Sequence, residues 1–180
     1  MLGITRSITK HNFLVNEVDE LPRLLKSAFY IARSGRPGPV LIDIPKDIQQ
    51  AATSVPYPEE VSIRSYKPTI AGHLPQIQKA AARINRAERP VIFAGGGVIS
   101  SGAAGELAFL ARHIQAPVTT SLMGLGAFPE TDPLALKMVG MHGSAYANYS
   151  IQEADLLIAI GARFDDRVTG KVSKFAPRAE

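Results

Sequence analysis

Between Val139 and Gly170 the sequence gathers its densest set of residues able to do chemistry. Gly140-Met141-His142-Gly143 is a glycine-flanked loop with one titratable ring. Further on, Gly161-Ala162 opens into Arg163-Phe164-Asp165-Asp166-Arg167, two guanidiniums around two carboxylates. A guanidinium just past a strand end can grip phosphate or carboxylate through two parallel hydrogen bonds. The carboxylates beside it can accept ribose hydroxyls or hold the arginines. Two upstream stretches share the character: Gly95-Gly96-Gly97, and Ser121-Leu122-Met123-Gly124-Leu125-Gly126. A glycine run between a strand and a helix lets backbone N–H groups approach a phosphate at the positive helix end. Ser100 stands where the dinucleotide fingerprint wants its third small residue, and no acidic residue follows at the usual distance, so an ordinary nicotinamide site is not expected.

Each of these stretches also has a plain structural reading. The triple glycine suits a tight turn, the 121–126 segment a flexible connection, His142 a structural histidine, and the charged cluster a surface ion-pair loop. His11, His73 and His113 stand in unrelated contexts, there is no cysteine, and no G-x-S-x-G elbow occurs. Zinc, thiol and serine-hydrolase chemistry are therefore not indicated. What favours a site is the joint pattern: successive strand ends that are glycine-rich or carry arginine, as for an extended phosphorylated ligand at the edge of an open α/β sheet.

The elements that would position these loops follow from periodicity. Val18, Leu21, Leu25, Ala28, Phe29 and Ala32 mark one face of a helix over about 17–34, with Asn16 as its cap and Gly35-Arg36-Pro37 as its end. Val40–Ile44 reads as a strand buried on both faces. Thr5–Asn12 carries no clear pattern, and no first strand of that unit is visible upstream. Residues 49–72, with Pro56, Pro58 and Pro68, read as a linker. Beyond it come a helix at 73–87, a strand at 90–94, a helix at 101–114, a short strand at 117–120, a long loop over 121–136, a helix near 144–154 and a strand at 155–160. Alternating strands and helices imply an α/β fold with a doubly wound parallel sheet.

Composition narrows the class. The 180 residues are 46% hydrophobic and 20% charged, which suits a soluble globular protein. No apolar run approaches the ~20 residues of a membrane helix, and the N-terminus lacks a signal-peptide core. A cytoplasmic location is the default expectation. The 20 Lys+Arg against 16 Asp+Glu are scattered, with no basic stripe interleaved with aromatics, so nucleic acid is not the expected partner.

Several stretches together resemble the acetolactate synthase (acetohydroxyacid synthase) large-subunit family of thiamine-diphosphate-dependent enzymes. They are Thr5–Asn12, Ser34–Val40, Pro45–Gln50, Ser121–Gly126, Gly140–Gly143 with Tyr146–Tyr149, and Gly161–Gly170. The resemblance covers essentially the whole chain and implies the following expectations. Residues 1–50 are the C-terminal part of a pyrimidine-binding N-terminal domain, 51–72 a linker, and 73–180 a Rossmann-like central FAD-binding domain truncated at its C-terminus. The family condenses two pyruvates, or pyruvate and 2-oxobutyrate, with decarboxylation, in branched-chain amino-acid biosynthesis. Thiamine diphosphate and magnesium do the chemistry, and FAD takes no net redox part.

By the same resemblance FAD contacts fall on Arg36, Gly95, Gly96, Gly97, Ser121, Leu122, Met123, Val139, Gly140, Met141, His142, Gly161, Ala162, Arg163, Phe164 and Asp165. Lys46, Asp166 and Arg167, with Met141, fall on the substrate channel. The activating glutamate and the magnesium–diphosphate motif are absent from these 180 residues, so no catalytic or metal residue is assigned and the chain is expected to be an internal fragment, inactive and poorly stable alone. A homodimer or homotetramer, a small regulatory subunit, and a bacterial cytoplasmic or eukaryotic organellar location are further expectations. The alternatives are a non-catalytic nucleotide-binding or assembly module, and the central domain of another thiamine enzyme such as glyoxylate carboligase.

Overall fold

The computed structural model describes residues 2–180 and divides into two compact units, Met1–Gly72 and His73–Glu180.

The first unit holds α1 (Leu2–Thr5), β1 (His11–Leu14), α2 (Leu21–Arg33), β2 (Val40–Asp43) and α3 (Lys46–Gln50). β1 and β2 pair in parallel, His11 opposite Val40 and Leu14 opposite Asp43, with α2 as the crossover. The first strand, invisible to periodicity, is thus the His-Asn-Phe-Leu segment, whose polar first half shows no apolar run. Asn16 does not cap the helix as expected. A 3-10 turn at Val18–Glu20 comes first, and α2 begins at Leu21 with Pro22 in its first turn, where a missing N–H costs nothing. β2 is half-buried rather than sealed on both faces. Val15, Leu24 and Ile48 form the core, flanked by Phe13, Val18, Leu21, Ile42 and Ile44.

Residues 51–72 carry no helix or strand, yet they are tied to this unit. The Lys26 ammonium donates to the carbonyls of Pro58 and Glu59, and the Thr53 hydroxyl donates to Asp19. Lys10 Nζ donates to Ile31 O and Ser34 O at the C-terminus of α2 and to the Tyr66 hydroxyl at 2.9 Å. That ammonium is the main reason the Tyr66 phenol is held below its ordinary range.

The second unit runs α4 (Leu74–Ile84), β3 (Pro90–Ala94), α5 (Gly96–Ser100), α6 (Ala104–Ile114), β4 (Val118–Thr120), β5 (Ala135–Met138), α7 (Ala145–Glu153), β6 (Leu156–Ile160) and α8 (Asp166–Thr169). The strands form one parallel sheet in the order β5-β4-β3-β6. Alternate residues of β3 feed opposite cores. Ile92 and Ala94 pack with Leu107 and Ala111 of α6, while Val91 and Phe93 pack with Ala147 and Ile151 of α7. A strand covered by helices on both faces must be apolar throughout, which is why β3 reads as an unbroken hydrophobic run. The sheet is doubly wound.

Three details differ from the sequence-derived picture. The helix expected over 101–114 is α6, which starts at Ala104, and a separate short helix not expected from sequence, α5, precedes it with Gly96 and Gly97 inside. β5 emerges from the stretch read as a long loop. It carries a register shift between Val118 and Thr119 of its partner, with Lys137 at φ +61° and the Thr119 hydroxyl donating to Lys137 O at 2.8 Å. α4 has the expected period but no buried residue; Leu74 and Ile77 stand exposed, so its apolar face is unpartnered among the described residues.

Along the outer edge of β6, Leu157 N donates to Glu180 O and Glu180 N donates to Asp155 O.

Candidate functional site

The four loops singled out in the sequence all leave the C-terminal ends of parallel strands. Gly95–Gly97 follows β3, Ser121–Gly124 follows β4, Val139–His142 follows β5, and Gly161–Asp165 follows β6. Strand order reverses at β3: the chain moves from β3 to β4 and β5, then returns to place β6 on the other side. Loops at such a reversal diverge and leave a crevice outside the strand ends.

The loops interlock. A Cβ built on Gly95 would stand 2.2 Å from Gly161 O and 2.4 Å from the Ala162 Cα. One on Gly97 would stand 2.7 Å from the Gly161 Cα, and one on Gly96 2.9 Å from Met123 O. One on Gly124 would meet Ala94 O at 2.4 Å. These glycines are required because backbone packs on backbone, and their N–H groups are partly committed: Gly95 N donates to Ile160 O and Gly97 N to Gly161 O. At the other side, Met141 N donates to Arg167 O at 2.9 Å. Gly140, at φ +105°, has no room for a Cβ, which would lie 2.5 Å from Arg167 O.

Side chains around this backbone are exposed and apolar or cationic. Leu122, Met123, Met141 and Phe164 are all more than half exposed. Arg163 and His142 are exposed and make no hydrogen bond or ion pair among the described residues. Asp165 is different. Its Oδ1 accepts the N–H groups of Arg167 and Val168 at 3.1 Å each and so caps α8. Asp166 and Arg167 form an exposed pair at 3.9 Å, and Arg167 also lies 3.8 Å from the Met141 sulfur. Arg36 and Lys46 belong to the first unit: Arg36 is exposed in the turn after α2, and Lys46 is the first residue of α3.

Two residues with a part here were not assigned from sequence. Asn148 on α7 bonds the backbone of Gly140 through both ends of its amide. It stood in a noted motif, but an i+8 tie from helix to loop leaves no periodic signal. Thr120, buried at the end of β4, has an Oγ1 without a hydrogen-bond partner among the described residues.

An exposed apolar lip, an unpaired guanidinium and backbone at strand ends suit a flat, anionic, nucleotide-like cofactor. No group of His, Cys, Asp or Glu among the described residues could hold a metal ion, and no described helix is long and apolar enough to cross a membrane.

A doubly wound parallel sheet with exposed side chains and glycine-rich loops at its strand C-termini defines an open α/β protein of the kind that takes ligands at its strand ends. The family profile described as "Thiamine pyrophosphate enzyme, central domain" matches residues 77–180, and the chain belongs to that family. It is 54% identical, over 99% of its length, to the probable acetolactate synthase large subunit of Methanocaldococcus jannaschii, covering 31% of that protein. It is 48% identical over 99% of its length to the acetolactate synthase isozyme 3 large subunit of Escherichia coli (strain K12), covering 32% of it. Against the chloroplastic acetolactate synthase 1 of Zea mays the identity is 50% over the whole chain, covering 28% of that protein. The chain thus spans about a third of the length of the curated relatives it matches.

Proposed function

We propose that this chain is the FAD-holding portion of an acetolactate synthase large subunit. The intact enzyme would join two pyruvates, or pyruvate and 2-oxobutyrate, with loss of carbon dioxide. When bound there, thiamine diphosphate with magnesium supplies the carbanion chemistry of that condensation, and FAD serves without net redox change. The observation that carries the reading is the free Arg163 at the end of β6, on a loop packed against Gly95–Gly97. An exposed, unpaired guanidinium beside strand-end backbone is what a diphosphate needs.

In this reading Arg163 binds the diphosphate of FAD and Ser121 offers a hydroxyl. Leu122, Met123 and Met141 lay an apolar surface under the flat part of the cofactor. Asp165 acts by capping α8, which fixes the direction in which Asp166 and Arg167 leave the loop toward the substrate channel. Residues 1–50 belong to a pyrimidine-binding domain, 51–72 to a connector and 73–180 to the central domain. A homo-oligomer, a small regulatory subunit and a bacterial cytoplasmic or organellar setting complete the proposal.

The test is flavin absorbance and FAD affinity of the intact polypeptide that carries this stretch. Arg163→Ala is expected to raise the FAD Kd on the order of tenfold or more, since a charge-assisted hydrogen bond contributes about 1.5–3 kcal/mol. His113→Ala, on the exposed face of α6 against Phe109, should leave it unchanged. Equal FAD affinity in the two variants would overturn the assignment.

A further inference from the structure

Asn148 makes three hydrogen bonds with one side chain. Its Oδ1 accepts the N–H of Gly140 at 3.1 Å, and its Nδ2 donates to Gly140 O at 3.0 Å and to Ser144 O at 3.1 Å. The carboxamide therefore engages both backbone groups of one glycine, as a neighbouring strand would. Gly140 O also accepts the Gly143 N–H at 2.9 Å, so it is the Gly140 N–H that depends on Asn148. Gly140 sits at φ +105° just where β5 has ended, and its next residue turns away to meet Arg167 O. β4 holds the preceding residue, through Val139 N on Thr120 O, but not Gly140. Asn148 itself is anchored on α7, whose Ala147 and Ile151 are buried in the sheet's second core. Ser144 caps that helix by accepting the Ala147 N–H, and its hydroxyl donates to Leu136 O on β5. Helix, strand and loop are thus tied into one rigid corner, from which the exposed side chains of Met141 and His142 project.

We propose that Asn148 is a positioning residue for the Val139–His142 loop, holding it in the conformation that grips FAD. The inference rests on the reading of that loop as an FAD contact. Only an amide in this place presents an acceptor to Gly140 N and donors to Gly140 O and Ser144 O at once. Aspartate keeps the size but loses both donors and sets a carboxylate oxygen against two carbonyls. Alanine removes the tie without adding charge.

The experiment uses the intact polypeptide stripped of FAD and titrated back, with Asn148→Asp, Asn148→Ala and His142→Ala read side by side. Measured are the FAD Kd, the KM for pyruvate at saturating FAD, and amide hydrogen exchange at Gly140 and Met141. Both Asn148 variants are expected to raise the FAD Kd about tenfold, the loss expected when hydrogen bonds to a buried-side backbone go unmade, with KM within about twofold. Exchange should quicken at Gly140 and Met141 while the β3 core stays protected. Combining Asn148→Ala with His142→Ala should cost less than the sum, because a displaced loop has already lost its His142 contact. If His142→Ala weakens FAD binding and Asn148→Ala does not, the positioning role is wrong and the loop assignment stands. If neither His142→Ala nor Arg163→Ala changes FAD affinity, the loop assignment fails and this proposal with it. A variant that shifts Kd and KM alike and loosens the β3 core would show a scaffold role only and would also overturn it. Should Asn148→Asp fail to fold, Asn148→Ala carries the test alone.

Discussion

Asp155 is a residue whose work only the structure shows. Its two carboxylate oxygens accept the N–H groups of Glu88 at 2.7 Å and Arg89 at 2.9 Å, tying the start of β6 to the turn before β3. The Glu88 N–H is the main cause holding this carboxyl below its ordinary value of 3.8. A carboxylate whose folded pKa is depressed stabilises fully above the unfolded pKa and loses that contribution as pH falls through the folded one. Asp155→Asn is therefore expected to lower the thermal midpoint at neutral pH, with the gap to the parent closing as the pH drops below the ordinary aspartate range; melting curves across that range check it. Gly95 makes a harsher case. Its missing Cβ is room taken by Gly161 O, so Gly95→Ala should destabilise by about 1–3 kcal/mol in urea unfolding, the usual cost of overpacking. The sequence already marked Gly95–Gly97 as special, but for approach to a phosphate. The structure shows the same glycines serving loop-on-loop contact, a tertiary fact that no local pattern encodes.

At the level of elements, legibility followed length and burial. β3 and α6 were plain because each buries a continuous face, and α7 lies where a helix was read near 144–154, with Ser144 as its cap. Ser144→Ala should remove that cap and the tie to Leu136, costing about 1 kcal/mol by denaturant midpoint and loosening the Gly140 loop first. β1 and β5 were missed because neither is a run of apolar or β-branched residues: His11-Asn12 opens β1, and Lys137 interrupts β5 where the register shifts. The short helix α5 went unseen because it opens on Gly96-Gly97, residues that read as a turn, and Gly102 at φ +72° separates it from α6. The strand-end placement of the Gly95–Gly97, Ser121–Gly126 and Gly161–Arg163 loops was readable, since each follows a stretch that reads as a strand. The Asn148 tie and the Asp165 cap were not, because both are side chains reaching across a turn.

Taken whole, the chain is two units joined at Gly72–His73, with Ile70 almost fully exposed just before the junction. Limited proteolysis is expected to cut first within residues 69–73, where the backbone has no helix or strand, and mass spectrometry of the early products would locate the cut. On the second unit, α4 presents Leu74 and Ile77 to solvent. Exposed apolar stripes of this kind drive association, so the double substitution Leu74→Lys, Ile77→Lys should shift the 180-residue chain toward smaller species in analytical ultracentrifugation.

The irregular pairing of β5 has a further consequence, for how the chain tolerates changes of length. Lys137, in its left-handed turn and bonded to Thr119, acts as an index pin between β4 and β5. Upstream of the pin, residues 129–131 form an exposed turn, and losing one of them is absorbed before the strand begins. Downstream, between Met138 and Gly140, a single deletion would pass straight into the Met141 loop and draw it off Arg167 O. Insertions and deletions should therefore be borne on one side of Lys137 and rejected on the other, a sharp boundary that a scan of one-residue deletions would trace.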